Sequence, residues 1–372
     1  MIKILEIGMT DNLGGIETCL INMYRKIDKE VYQLDFIKMG TNDICFQKEL
    51  EENGSLVIEM PDYLKHPIQY SKRLKDIVKR NQYDIIHINK NSLAIPTQLI
   101  AAHSSGRKVI LHSHSTCSNQ GKIGSILHKI NQKLFLKYAD YYFSCSESAS
   151  KWMFNESIIN SNKHFYINNS IDVEKFKYNE TVRKSMREEL NIPSDAIVIG
   201  HVGRFMPVKN HGFIVDIFNE IHKMYQNAML MLIGIGPLEE QIQQKVKELK
   251  LDRNVLFLGK RNDVYKLYQA MDTFLMPSIH EGFPMVAVEA QAAGLPCYFS
   301  TNVNEKVQII DTTYLISLQE DAKYWAKNIC ENQVTDRNKL YPKIVDSNYN
   351  SSKEVKKLEN IFRNIKDTGE NK

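Results

Sequence analysis

The chain of 372 residues contains neither a G-x-G-x-x-G fingerprint nor a G-x-x-x-x-G-K-[ST] loop. A dinucleotide dehydrogenase and a P-loop NTPase are therefore poorly supported. Six cysteines, at 19, 45, 117, 145, 297 and 330, include no C-x-x-C pair. That spacing fits neither a disulfide framework nor a zinc ribbon, and reduced thiols in a cytosolic protein are expected. No apolar run approaches the ~18 residues that cross a bilayer; the longest, AMLMLIGIG, reads as a buried strand. The opening MIKILEIG reads as a strand, not a secretory leader. Charge is nearly balanced at +4, with 21 Lys and Arg against 18 Asp and Glu over residues 1–172. Nucleic-acid binding needs a denser basic patch. Solenoid repeats and low-complexity tracts are also missing.

What is present is alternation. Strand-like runs at Ile2–Ile7, Gln33–Lys38, Ser55–Glu59, Ile85–Ile88, Val109–His112 and Tyr141–Ser144 are separated by amphipathic segments at 17–27, 70–80 and 94–103. The alternation restarts with strands at Asp195–His201, Ala228–Ile233, Val255–Leu258, Thr273–Met276 and Cys297–Ser300. Such alternation predicts parallel sheets with helices on both faces. The length favours two domains, and the polar stretch YINNSIDVEKFKYNE is the candidate linker. The expected architecture is α/β: two doubly wound, Rossmann-like domains at 1–170 and 171–345. A charged amphipathic helix is expected within 346–372.

Ligands of open α/β sheets bind beyond the carboxyl ends of strands, which ranks the loops. After the first strand comes GMTDNLGGIE, where Gly14 and Gly15 allow close backbone approach and Glu17 opens a helix; a flexible turn accounts for it equally. In ILHSHST, His112 and His114 share a face by the period of two. They suit hydrogen bonding in a cleft or partial burial better than metal, because Cys117 is a weak third ligand. In HVGRFMPVKN, Gly203 is followed by Arg204 and Lys209, two cations that suit a diphosphate and equally a solvated loop. In IGIGP, Gly234 and Gly236 allow approach to a base or ribose, or form a plain turn.

The stretch HEGFPMVAVEA places Gly282 at a turn and Pro284 at the first helical position. The helix start then offers the N–H groups of Phe283, Met285 and Val286 to an anion. Glu281 precedes the turn, and Glu289 lies about 7–8 Å of helical rise further on. Two carboxylates around a phosphate site suit a nucleotide sugar. A capped core helix with two solvated glutamates is the plain alternative. A glycoside hydrolase also uses two carboxylates, about 5–10 Å apart, but has little need for Arg204 and Lys209.

The segment EGFPMVAVEAQAAGLP resembles, almost residue for residue, the E-x7-E signature of retaining glycosyltransferases of the GT-B fold, glycosyltransferase family 4. That family is typified by bacterial capsule, exopolysaccharide and lipopolysaccharide enzymes. HVGRFMPVKN resembles its G-R-x-x-x-x-K donor-phosphate segment, GGIE its N-terminal glycine loop, and ILHSHS its His-bearing strand end. SCSESASKWMF is similar to a further recurring segment, and the match spans nearly the whole chain. A departure is Ser170 in NNSID, where many relatives carry glycine.

The resemblance implies a hexosyltransferase of class EC 2.4, with the two domains facing a central cleft and the 346–372 helix packing back on the N-terminal domain. Arg204 and Lys209 would hold the donor diphosphate, Glu289 the ribose and Glu281 the transferred sugar. Backbone N–H groups at Phe283 and Met285 would bind the β-phosphate. His114 would lie near the reacting carbon and the acceptor, with Gly14 and Gly15 letting the N-terminal loop approach both substrates. The donor would be a UDP-sugar, with no cofactor and no metal, in keeping with the lack of a D-x-D pair in a plausible loop. The acceptor would be a polyprenyl-diphosphate-linked saccharide. A sugar-nucleotide epimerase and a non-catalytic nucleotide-sugar binder are the rival readings. Lys122, Lys129, Lys133 and Lys137 share a helix with Ile123, Ile126, Leu127, Ile130 and Leu134. That helix can meet an anionic membrane or pack into the core. A cytoplasmic protein, peripheral on the inner membrane face, is expected.

Overall fold

A computed structural model describes residues 1–12, 14–115, 121–281, 283–332 and 336–368. The chain forms two compact units, Met1–Ser170 with Ser351–Lys372, and Ile171–Asn350. In the first, β1 (Ile2–Ile7), β2 (Tyr32–Met39), β3 (Val57–Met60), β4 (Ile85–Lys90), β5 (Lys108–Ser113), β6 (Tyr141–Ser144) and β7 (His164–Tyr166) form one sheet. Its order is β3-β2-β1-β4-β5-β6-β7, and its pairings are parallel.

Strands covered on both faces read as near-continuous apolar runs, and β1, β4 and β5 are buried along nearly their whole length. Successive side chains alternate faces. Ile2 and Ile4 enter one core with Leu20, Ile21 and Tyr24 of the helix Gly15–Lys26, while Leu5 and Ile7 enter the opposite core with Leu74 and Leu99. The C-terminal helix Ser351–Asp367 lays Val355, Leu358, Phe362 and Ile365 on the first of these cores. That spacing of three and four residues makes one helical stripe. Tyr32 Oη donates to the Glu359 carbonyl at 2.8 Å, and Asp28 N donates to the Glu359 carboxylate at 2.9 Å. The helix Tyr341–Asp346 stays with the second unit, so the chain re-enters the first at Ser351.

The second unit holds β8 (Val198–Val202), β9 (Met229–Ile233), β10 (Val255–Phe257), β11 (Thr273–Met276), β12 (Cys297–Ser300) and β13 (Thr313–Ile316), in the order β10-β9-β8-β11-β12-β13. Here too the pairings are parallel. Both units are therefore Rossmann-like α/β domains. The order reverses between β1 and β4 in one sheet and between β8 and β11 in the other, where ligands of such sheets collect. Local boundaries differ from expectation where proline intervenes. The helix expected from residue 94 begins at Thr97, after Pro96, because the residue before a proline is pushed out of the helical region. β8 begins at Val198, after Pro193 and a turn at Ser194 and Asp195.

Candidate active site

At the switch point of the second unit, the loop after β8 is anchored rather than loose. Phe205, 1% exposed, stacks on His211 with ring centroids 4.2 Å apart. Its N–H donates to the Ile235 carbonyl at 3.1 Å. Pro207–Lys209 form one 3-10 turn, closed by Asn210 in the left-handed region at φ 58°. Asn210 Nδ2 donates to the Pro277 carbonyl at 3.1 Å, and Ile279 N donates to Val208 at 2.8 Å. Those bonds join this loop to the one after β11 and bring together residues some seventy apart in sequence. Lys209 Nζ lies 2.6 Å from Glu281 Oε1, with both side chains under a fifth exposed. The contact is an ion pair. Arg204 is exposed, and among the described residues its guanidinium makes no ion pair. A paired cation, a free cation and a carboxylate thus stand at one strand-end cluster.

The helix that follows is Met285–Ala292, and Pro284 is its N-cap, not its first residue as expected, with φ −78° and ψ 113°. Proline's ring sets φ only, and the extended ψ leaves it outside the helix. Phe283 stacks on Tyr349, centroids 4.6 Å apart. Gly282 lies outside the described residues. Glu289 is largely buried and accepts a hydrogen bond from Tyr268 Oη at 3.0 Å. Burial pushes its carboxyl up to about 7, against the opposing pull of that hydrogen bond and of Lys175. It is poised to lose or keep a proton near neutrality.

The glycines after β9 have a packing reason of their own. A Cβ on Gly234, whose φ is +139°, would stand 2.1 Å from the Gly203 carbonyl oxygen, and one on Gly236 would stand 2.6 Å from the Phe205 carbonyl oxygen. Close packing of two loops already requires both. Gly203 itself abuts His201, where a Cβ would fall 2.8 Å from Nε2. His201 Nδ1 donates to the Leu275 carbonyl at 2.8 Å. Burial, His211 and Lys209 hold its imidazole well below the usual range, so it backs the loop as a neutral ring.

The switch point of the first unit holds His114, which sequence analysis singled out, and three residues it passed over: Glu6, His87 and Asn89. Glu6 is 1% exposed, His87 1% and Asn89 3%. Register pairs Glu6 with His87 and Asn89 with His112, and parity places all four on one sheet face. His112 and His114 do lie together, ring centroids 3.9 Å apart. Burial depresses both; His114 falls to about 3, with His87 a further cause. A polar residue within an all-apolar strand, as in IKILEI and IIHINK, is the signal that could have found them. Gly14 caps the helix Gly15–Lys26 in extended conformation. Glu17 is its third residue and reaches back to accept from Thr10 N and Oγ1 at 3.0 and 2.8 Å. A Cβ on Gly15 would meet nothing within 4 Å, which leaves that loop open. Among the described residues no group of three or more His, Cys, Asp or Glu is placed to hold a metal ion; Cys117 lies outside them.

Residues 13–175 match the Glycosyltransferase Family 4 model, and residues 182–331 match Glycosyl transferases group 1. EpsF of Bacillus subtilis (strain 168), which its name places among the glycosyltransferases, is 29% identical over 369 residues, 97% of this chain and 96% of that protein. The Escherichia coli UDP-Gal:alpha-D-GlcNAc-diphosphoundecaprenol alpha-1,3-galactosyltransferase is 24% identical, covering 82% of this chain and 80% of its own. The crystal structure of Anabaena Alr3699/HepE in complex with UDP superposes with a TM-score of 0.78 at 18% identity, over 98% of this chain and 100% of that one. These matches lend the epimerase reading no support. The chain therefore joins a glycosyltransferase family 4 domain to a glycosyltransferase group 1 domain in the GT-B fold, and it is a glycosyltransferase of class EC 2.4.

Proposed function

We propose that this enzyme transfers a sugar from a UDP-sugar to a polyprenyl-diphosphate-linked saccharide, with retention at the anomeric carbon and without a metal, in capsule, exopolysaccharide or lipopolysaccharide assembly. The observation that carries the donor half is the Lys209–Glu281 pair, beside exposed Arg204 at the β8/β11 switch point. Breaking the anomeric C–O bond builds positive charge on the sugar and negative charge on the departing diphosphate. Fixed cations and a helix N-terminus stabilise the second most in the transition state. Lys209 and Arg204 supply the cations, with the N–H groups of Phe283 and Met285 beside them. Glu281, already at Lys209, takes hydroxyls of the sugar next to the diphosphate, and Glu289 takes the ribose. The acceptor hydroxyl attacks the face that the leaving group vacates. Its oxygen forms the new bond to carbon, and its proton passes to the departing phosphate oxygen. HepE was solved with UDP, and the Escherichia coli relative is named for a UDP-sugar donor and a diphosphoundecaprenol-linked acceptor; both support this choice of substrates.

The lipid half draws on the helix Gly121–Phe135. Its polar side faces the protein: His128 stacks on Trp152 at 4.2 Å, and Asn131 donates to the carbonyls of Leu93 and Ala94 at 2.9 and 3.0 Å. Its apolar side faces out, with Ile123 74%, Ile126 60%, Ile130 50% and Leu134 52% exposed. Core packing, the plainer expectation for this helix, does not hold. Lys122, Lys129 and Lys133 are exposed as well, and so is Lys137, which lies not on this helix as expected but in the 3-10 turn Leu136–Tyr138 that follows it. An outward apolar stripe with lysines suits an anionic bilayer. No helix among the described residues is long and apolar enough to cross a membrane.

The test is transfer from radiolabelled UDP-sugars to polyprenyl-diphosphate N-acetylglucosamine in detergent, with EDTA present. An α-linked product from an α-linked donor is expected. An inverted product overturns retention, a strict need for Mg²⁺ overturns metal independence, and no transfer from any UDP-sugar overturns the donor.

A further inference from the structure

The buried polar residues around His114 form a chain of hydrogen bonds whose directions can be worked out atom by atom. Asn89 Nδ2 lies 3.3 Å from the Ile7 carbonyl oxygen and 3.0 Å from Glu6 Oε2. A backbone carbonyl only accepts, so this atom is the amide nitrogen and Asn89 Oδ1 is the acceptor. Oδ1 lies 2.8 Å from His114 Nε2. That nitrogen must therefore carry the proton, and in a neutral ring the proton-free nitrogen is Nδ1. His114 Nδ1 is buried and has no hydrogen-bond partner among the described residues. Gly8 makes the approach possible, since a Cβ there would stand 2.4 Å from the Asn89 carbonyl oxygen.

A second branch starts from the same carboxylate. Glu6 Oε1 lies 3.0 Å from His87 Nδ1, and His87 Nε2 lies 3.2 Å from His112 Nδ1. In the neutral-ring arrangement, with Glu6 accepting, His87 carries its proton on Nδ1 and accepts from His112 Nδ1–H. His112 Nε2 is then the free lone pair, and it too is buried without a partner.

We propose that Asn89, held by Glu6, is a positioning residue for sugar transfer: it locks His114 as the Nε2–H tautomer and so presents Nδ1 as a hydrogen-bond acceptor to a substrate hydroxyl. This rests on the reading above that His114 serves the substrate. The second branch supplies an internal control. In Glu6→Gln, the new amide must turn its oxygen to Asn89 and its NH₂ to His87, because Asn89 Nδ2 stays pinned to Ile7. His87 and His112 then both switch tautomer, and His114 does not.

The experiment is long-range ¹H–¹⁵N correlation on full-length protein labelled with ¹⁵N-histidine, read beside steady-state kinetics and thermal melting. His114→Gln, His112→Gln and His87→Gln assign the resonances. Wild type should show His114 protonated on Nε2. Asn89→Leu should release that tautomer and lower kcat by about tenfold, one hydrogen bond's worth, with donor KM moving less. Asn89→Asp is the rescue: sharing a proton with Glu6, it donates to Glu6 and accepts from His114, so tautomer and turnover should both return. Glu6→Gln should flip His87 and His112 alone. An Nδ1–H His114 in wild type, or an Asn89→Leu protein with unchanged tautomer or unchanged kcat, overturns the proposal. The spectrum needs no substrate, so absence of transfer by wild type condemns the substrate assignment and leaves the bonding scheme to be judged on its own.

Discussion

Lys209→Ala removes one charge from a pair whose side chains are 18% and 15% exposed. Two unit charges a few ångströms apart attract by about 4 kcal/mol at an effective dielectric near 20. Solvent and desolvation reduce the net value, which lies between the ~1 kcal/mol or less of an exposed pair and the ~3–5 kcal/mol lost on breaking a buried one. With Glu281 left largely buried and uncompensated, a loss of about 1–2 kcal/mol in stability is expected. The loss in catalysis is separate. A charged hydrogen bond contributes about 1.5–3 kcal/mol, a factor of about ten to 150 in rate. Charge on the diphosphate grows toward the transition state, so the loss falls on kcat more than on KM. Urea unfolding and steady-state kinetics of Lys209→Ala, Glu281→Gln and the double variant separate the two effects. Neutralising Glu281 should return stability to the double variant and leave turnover low. If Lys209→Ala lost turnover only in proportion to folded protein, or if the double variant regained it, the phosphate role of Lys209 would be wrong.

Glu289 gives a pH signature. Its folded value of about 7 lies above the ordinary carboxylate range, so between the two the folded protein holds a proton that the unfolded chain has released. Stability should therefore fall as pH rises through that window. UDP affinity by titration calorimetry should rise from about pH 6 to pH 8, as the carboxylate forms to accept from the ribose, and Glu289→Gln should flatten both trends. Gly234→Ala should cost more than about 1 kcal/mol by thermal melting, because its backbone conformation and its neighbour both exclude a side chain. Gly15→Ala should leave the melting temperature in place and lower kcat/KM if that loop approaches substrate; unchanged kinetics would remove it from the site. Replacing Ile126 and Ile130 with serine should not alter melting, since both are at least half exposed. It should reduce co-sedimentation with anionic vesicles, and undiminished binding would mean that this face does not meet the bilayer.

Much of this protein was legible along the chain because its signals are local. Strands buried on both faces need continuous apolar runs, so β1, β6, β11 and β12 could be bounded to the residue from IKILEI, YYFS, TFLM and CYFS. β7 and β13 are short edge strands with mixed exposure, and periodicity says little about three or four residues. Motif spacing brought Arg204, Lys209, Glu281 and Glu289 into view one loop at a time. It could not show that Lys209 and Glu281 touch, since that depends on β8 and β11 being neighbours in the sheet. Nor could it tell that the 121–135 helix turns its isoleucines outward: amphipathicity shows that a helix has two faces, and only the packing of His128 and Asn131 selects the inner one. The Glu6–His87–Asn89–His114 chain lies furthest from sequence reading. Its members come from β1, β4 and the residue just past the end of β5, and they meet because parallel register and face parity align those strands. Sequence pattern carries the period of each strand, whereas the pairing of strands, which decides which buried polar groups can satisfy one another, exists only once the sheet has formed.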